Sequence, residues 1–281
     1  MTKQAAAQVP AETGAGRDVA TTGGTAQLPA HMQGIDEYAG LGNSQDSRDS
    51  VMPFLAILQK GSPQVNEMEP QYIPGAKAGM LLNTATKEIF DGKEGIVVIP
   101  CGFQKNYVEW KPNRGGYVAT HPFDVDFVKG RLGARKEIIR VDGSDREVIL
   151  SAAGNLIVET SYTFVIRNGM PMVIGASSTG LGPTREWNTY RKSQRNPSSG
   201  KQLASWAKLY RVQTVYNKNE KGDWYNWKFT DEGWVLNADD FRQAQDFGVM
   251  IAKGEVVVGR PPDEFGSSGA DSQHGDDGIP V

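Results

Sequence analysis

The stretch LIVETSYTFVIRNGMPMVI, residues 156–174, decides the fold class of this chain. Residues 156–166 are rich in β-branched and aromatic side chains, as strands are. Arg167-Asn168-Gly169 is a tight-turn signal, and residues 170–174 are apolar again. Because such a turn joins antiparallel neighbours, we expect a β-hairpin here.

Short segments of strand character extend from this hairpin in both directions. Apolar or alternating runs separated by turn residues predict strands at 52–59, 80–82, 88–90, 95–100, 103–110, 207–216 and 224–230. Helices are predicted at 184–194 and at 239–252, where Phe241, Ala244, Phe247 and either Met250 or Ile251 share one face. Residues 124–147 fit a helix or an insertion equally well. The pattern indicates a mainly β barrel or sandwich, with one or two helices as its minor α+β component.

Composition divides the chain into three parts. Residues 1–50 are mostly small and polar, which predicts a disordered N-terminal segment. Residues 51–260 carry the apolar patterning of a folded domain. Residues 261–281 contain no Lys or Arg and predict a disordered acidic tail. The formal net charge of the whole chain is only -3, so no global field favours a polyanionic partner.

Several classes of protein are excluded by what the sequence lacks. The single cysteine, Cys101, follows an apolar run and is predicted to be buried, and no disulfide can form within the chain. No apolar stretch reaches the roughly 18–20 residues of a membrane span, and no secretory signal begins the chain. We therefore expect a cytoplasmic protein with no membrane association, no metal and no cofactor.

No catalytic motif is complete. Residues 175–182 are glycine-rich but lack the lysine of a phosphate-binding loop. His121, Asp124 and Asp126 have a spacing that fits a magnesium site of a nuclease, although a solvated loop is the preferred interpretation. The sequence thus predicts a protein that is not an enzyme, with a metal-dependent enzyme as a minor alternative.

Residues 184–230 combine two features that single-stranded nucleic acid requires. Lysine and arginine far outnumber acidic residues there, and aromatic residues are interleaved with them. Cations follow the phosphates, and aromatic rings offer faces on which unpaired bases stack. The alternative is that the aromatic residues fill a β-barrel core, and this segment by itself leaves the two interpretations evenly balanced.

The chain resembles the single-stranded DNA-binding proteins of bacteria and tailed phages. The resemblance rests on the basic and aromatic strands followed by an acidic C-terminus. It also rests on Trp206 to Thr214, Asn219 to Trp227, and the opening from Phe54-Leu55 to Gly61-Ser62-Pro63 with Asn83-Thr84 and Asp91-Gly92. It implies an OB-like β-barrel core, with residues 111–155 as an insertion. The terminal Asp276-Asp277-Gly278-Ile279-Pro280-Val281 departs from the tails of that family, which often end in an aromatic residue or Pro-Phe.

These observations predict a non-enzymatic single-stranded DNA-binding protein that supports phage replication or recombination. Residues 261–281 would regulate DNA occupancy or recruit replication or recombination proteins, and the oligomeric state is left open. The alternative is a phage structural or assembly protein without a nucleic-acid role. The predicted DNA-binding residues are Arg185, Trp187, Tyr190, Arg191, Lys192, Arg195, Trp206, Lys208, Tyr210, Arg211, Trp224, Trp227 and Lys228.

Overall fold

The computed structural model of the chain describes residues 34, 37, 52–112, 116–141, 144–220, 222–256 and 258. The chain divides into two units, residues 1–46 and 47–281. In the first unit, the amide of Glu37 donates to the carbonyl of Gly34 at 3.1 Å. The disorder predicted for residues 1–50 and 261–281 concerns positions outside the described residues, apart from that one turn.

Strands dominate the second unit. They are β1 (Phe54–Ile57), β2 (Leu81–Asn83), β3 (Ile89–Phe90), β4 (Ile96–Trp110), β5 (Tyr117–Pro122), β6 (Arg135–Val141), β7 (Ser144–Leu150), β8 (Leu156–Arg167), β9 (Met170–Ser177), β10 (Lys208–Asn219) and β11 (Gly222–Trp234). The α-helices are α1 (Val125–Arg131), α2 (Leu181–Ser193) and α3 (Ala238–Ala252).

The strands form one sheet whose two ends approach each other. Its main path runs β11-β10-β4-β8-β9-β1-β2-β3, and β1 pairs with β9 in parallel. The side-chain amide of Gln59, just after β1, accepts from the N–H of Tyr225 on β11 and donates to its carbonyl, both at 2.9 Å. The sheet is therefore curled into a half-barrel, and the prediction of a mainly β, barrel-like fold is confirmed.

The two faces of the curled sheet carry separate apolar clusters. On β8 and β9 alternate residues point to opposite faces, so that Val165 and Ile174 lie inside while Phe164 and Val173 lie outside. The inner cluster also takes Leu55, Leu81, Ile96, Val98, Met172, Tyr210, Val212 and Trp227. This hairpin, from which the fold class was predicted, thus forms the wall between the two clusters.

Helix α3 covers the outer face. Asn237 caps its N-terminus by accepting from the amides of Asp239 (2.8 Å) and Asp240 (3.2 Å). Ala244, Phe247 and Ile251 are buried against the sheet, whereas Met250 is exposed. Gly248 allows the close approach, because a Cβ atom there would lie 2.5 Å from the Trp206 ring. The predicted helix and its apolar face are both confirmed.

The segment that the sequence left open contains one short helix and a hairpin. Asp124 accepts from the amides of Asp126 (2.8 Å) and Phe127 (3.1 Å), which begins α1. Strands β6 and β7 then pair with each other over their whole length. Strand β7 pairs with β8 only at Ile149 and Leu150, so the hairpin extends the sheet at one end.

Candidate nucleic-acid interface

Helix α2 lies against the inner face of the curled sheet. It begins at Leu181, three residues before the predicted start, and Pro183 occupies a first-turn position where no N–H bond is needed. Trp187 fixes the helix to the sheet, because its ring stacks on Phe229 with centroids 4.0 Å apart and meets Tyr210 edge-on at 5.5 Å. Anchored this way, α2 holds several of its polar residues beside the inner face of the sheet.

Two adjoining cavities, of about 220 Å³ and about 160 Å³, lie between α2 and the sheet. Both are lined by Phe103 on β4 and by Asn188 and Lys192 on α2. The smaller is also bounded by residues 194–205, which fold back so that the amide of Leu203 donates to the carbonyl of Gln194 at 3.1 Å. We call the two cavities together the α2 groove.

The lining of the α2 groove is cationic. Its charged residues are Lys105, Arg185, Arg191, Lys192 and Lys208. Within the described part of the chain, no aspartate or glutamate lines either cavity. In a chain whose formal net charge is -3, this sorting of charge concentrates basic side chains along the groove.

Two carboxylates at the rim form ion pairs with some of these cations. Glu159 accepts from Lys105 Nζ at 2.6 Å and from Arg185 Nη2 at 3.2 Å. Burial works against ionisation of Glu159, but the bonds from Lys105 and Arg185 outweigh it and lower the pKa of this carboxyl. Asp231 binds Lys208 and the Tyr190 hydroxyl, and its pKa is lowered in the same way against the effect of burial.

Phe103 supplies the aromatic surface of the groove and was not among the predicted DNA-binding residues. It lies opposite Thr163 in the β4–β8 pairing, and 37% of its surface is exposed between Lys105 and Lys192. The available signal was the alternating run at residues 103–110, from which a strand was predicted. Nearby, Lys105 Nζ lies 4.6 Å from the centroid of the Phe123 ring.

Arg191 is a half-buried cation of the groove. Its Cζ atom lies 4.4 Å from the centroid of the Trp187 ring, and its Nη2 donates to Asn188. Its Nε and Nη1 atoms are buried and have no hydrogen-bond partner among the described residues. Burial lowers the pKa of this guanidinium to about 10, so it keeps its charge at neutral pH.

The structure places three of the predicted stacking residues in the core. Trp187, Tyr210 and Trp227 are 4%, 2% and 5% exposed, and all belong to the inner apolar cluster. Bases need an exposed ring face, so we assign these rings to packing, the alternative that the sequence had left open. Trp206 is partly buried and packs against the outer cluster beside α3.

The other predicted residues divide between the groove and the surface around it. Arg185, Arg191, Lys192 and Lys208 line the groove, and Tyr190, 45% exposed, binds Asp231 at its rim. Arg195 donates instead to the carbonyls of Lys192 and Gln194 at the end of α2. Away from the groove, Arg211 pairs with Glu232 at 2.6 Å. On β11, Lys228 is exposed, whereas Trp224 is partly buried and its indole N–H is enclosed.

The alternative metal site is not assembled. His121 Nε2 lies 2.8 Å from Glu109 Oε2 rather than beside Asp124, which caps α1. Among the described residues, no group of three or more His, Cys, Asp or Glu side chains could hold a metal ion.

Gly180 of the glycine-rich stretch packs near Ala176 and Trp227, so that part of the stretch serves packing. Cys101 is buried as predicted, and burial raises the pKa of its thiol to about 12.

The fold and the groove define a mainly β, half-barrel protein with a cation-lined site on the concave side of its sheet. Residues 21–257 match the model of the family described as Pam3 phage gp34-like protein, and the chain belongs to this phage-derived family. No curated protein and no solved structure matches the chain. No helix within the described ranges is long and apolar enough to cross a membrane.

Proposed function

We propose that this phage-family protein binds single-stranded DNA without catalysing a reaction, in support of phage DNA replication or recombination. The observation that carries the proposal is the α2 groove, where Lys105, Arg185, Arg191, Lys192 and Lys208 surround the exposed ring of Phe103. Cations beside an aromatic face suit phosphates beside an unpaired base. The family membership supports the phage context of the proposal.

The shape of the groove favours a single strand over a duplex. Its cavities, of about 220 Å³ and about 160 Å³, lie between a helix and the concave side of a sheet. A base that reaches Phe103 must leave its neighbours, which costs little in a single strand. In a duplex the same base is paired and stacked, so only the phosphates would reach the lysines and arginines at the rim.

The test is fluorescence anisotropy of a labelled dT oligonucleotide of about 35 nucleotides, titrated with the full chain at several salt concentrations. We expect binding that weakens as salt rises and that an unlabelled single strand competes better than a duplex. The double variant Arg185→Ala/Lys192→Ala should lower the slope of log affinity against log salt by about 1.4, at about 0.7 for each phosphate contact.

The matched control removes the same charge from the opposite face. Arg242 and Lys253, with side chains 72% and 62% exposed, lie on α3 and directly after it. Arg242→Ala/Lys253→Ala should leave the affinity and the slope unchanged. Absence of binding by the wild-type chain at low salt would overturn the proposal and favour a phage assembly role. Equal losses in the two double variants would contradict the assignment of the groove.

A further inference from the structure

We propose that the smaller cavity of the α2 groove is a phosphate-binding subsite built around Arg191. As a deepening of the same site, it rests on the proposed function where the phosphate belongs to a DNA strand. The subsite itself requires only an oxyanion of phosphate type. The inference comes from the position of one cation relative to its neighbours.

Arg191 is a half-buried cation whose Nε and Nη1 atoms are enclosed, and it has no anionic partner among the described residues. Its Nη2 donates to the neutral amide of Asn188, and its Nε and Nη1 atoms have no hydrogen-bond partner there. Removing a charge from water is costly unless a partner of opposite charge or several hydrogen bonds compensate. The Trp187 ring, 4.4 Å from Cζ, offers a weaker, π-type interaction.

The two carboxylates at the rim of the groove are engaged with other residues. Asp231 binds Lys208 and Tyr190, and Glu159 binds Lys105 and Arg185. Tyr210 and Cys101, the titratable groups that act on Arg191, are both neutral at physiological pH, because burial raises the pKa of each to about 12. A bound anion would supply the missing charge.

The remaining lining of this cavity suits phosphate. Lys192 adds positive charge beside the ion pair of Lys208 with Asp231, and Asn188, Gln194, Gln202 and Ser205 offer polar side chains. A planar guanidinium can donate two parallel hydrogen bonds to two oxygens of one phosphate, a geometry that the ammonium of lysine lacks. The cavity also shares Phe103 with its larger neighbour, so a phosphate at Arg191 would lie next to the proposed stacking surface.

The first experiment uses inorganic phosphate as the probe, with sodium chloride at matched ionic strength as the reference. Phosphate should raise the melting temperature of the wild-type chain by a few degrees over that reference, because a ligand that binds only the folded state stabilises it. Arg191→Met should abolish the phosphate-dependent shift. It should also keep or raise the melting temperature without phosphate, since it removes an uncompensated buried charge.

Arg242→Met, on the opposite face, is the matched control and should keep the full phosphate-dependent shift. The absence of a phosphate-specific shift in the wild-type chain would overturn the proposal, whether or not the Met variant folds. An undiminished shift in a folded Arg191→Met chain would also overturn it.

The second experiment separates the sources of the phosphate. Labelled dT oligonucleotides carrying a 5′-phosphate, a 3′-phosphate or no terminal phosphate are bound to wild-type and Arg191→Met chains. A preference for one end, lost in the variant, assigns the subsite to a terminal phosphate. An equal loss for all three assigns it to the sugar-phosphate backbone. Phosphate protection without any dT binding would leave the subsite standing and overturn the proposed DNA-binding function.

Discussion

Helices α2 and α3 pack on opposite faces of the same curled sheet and differ in what they bury. Helix α3 buries Ala244, Phe247, Gly248 and Ile251 along one continuous stripe. Helix α2 buries only Thr184 and Trp187, and it presents arginine and lysine to a cavity. A helix that packs with so little apolar surface leaves room between itself and the sheet. We infer that α3 stabilises the fold, whereas α2 forms one wall of the groove.

The largest effect on stability is expected from removing a buried side chain of α3. Phe247→Ala deletes a ring that is 8% exposed and packs edge-on against Phe164, with centroids 6.2 Å apart. We expect a loss of about 3–5 kcal/mol in the free energy of unfolding, measured by urea denaturation. Met250→Ala, on the exposed side of α3, should change it by less than about 0.5 kcal/mol. Similar losses in both variants would contradict the assignment of α3 to the core.

On the inner face of the sheet, removal of an aromatic side chain should weaken DNA binding rather than stability. Phe103→Ala removes the exposed aromatic face of the α2 groove and should weaken dT binding by about 1–3 kcal/mol. The measurement is the same anisotropy titration, made at constant salt. Tyr216→Ala is the control, since Tyr216 is 49% exposed and pairs with Asp223, away from the groove. Equal weakening by the two substitutions would argue against a specific stacking position at Phe103.

Most strands and helices could be predicted from the sequence, because strand and turn patterns are local. The β-branched and aromatic residues of 156–166, the turn signal at 167–169 and the apolar run at 170–174 predicted β8, β9 and the turn between them. The apolar period of residues 239–252 predicted α3. The exact start of α2 was missed because residues 178–180 form a 3-10 turn that leads directly into the helix. Ser178 and Thr179 are typical capping residues, but the residue before the helix is Gly180 and no side chain caps its N-terminus.

The site was less accessible from the sequence, since it depends on long-range packing. Basic residues of segment 184–230 were found, but nothing local separates Trp187, which fills the core, from Tyr190, which is exposed. Phe103 and Lys105 lie some 80 residues before α2 and join the groove only because β4 passes beneath that helix. The uncompensated charge of Arg191 is likewise visible only after its surroundings are assembled.

Removing a carboxylate at the rim of the α2 groove should strengthen DNA binding. Glu159→Gln frees Lys105 and Arg185 from their shared partner, and dT binding should become about threefold to tenfold tighter, most clearly at low salt. Glu232→Gln is the matched control, because Glu232 pairs with Arg211 outside the groove. An unchanged or weaker affinity in Glu159→Gln would indicate that Glu159 positions the two cations for binding rather than competing for them.

The smallest effect concerns a buried carboxylate that belongs to neither helix. Glu109 is 6% exposed and accepts from Asn155 at 2.8 Å, with His121 Nε2 also at 2.8 Å. Burial opposes its ionisation, but the hydrogen bonds of Asn155, His121 and Ser151 outweigh burial and lower its pKa below the ordinary 4.5. A carboxyl whose pKa is lower in the folded state stabilises the fold above its unfolded pKa, and that contribution disappears as pH falls through the folded value.

Glu109→Gln should therefore lower the free energy of unfolding by about 0.5–1 kcal/mol at neutral pH. The difference from wild type should shrink as the pH falls below 4.5, measured by urea denaturation across a pH series. Glu94→Gln, at an exposed position before β4, is the control for removal of one charge. A difference that stays constant down to the acid transition would show that Glu109 acts through shape and neutral hydrogen bonds. A shrinking difference would indicate that Glu109 is ionised where β4 pairs with β5 and β8. That contribution to stability is independent of the α2 groove.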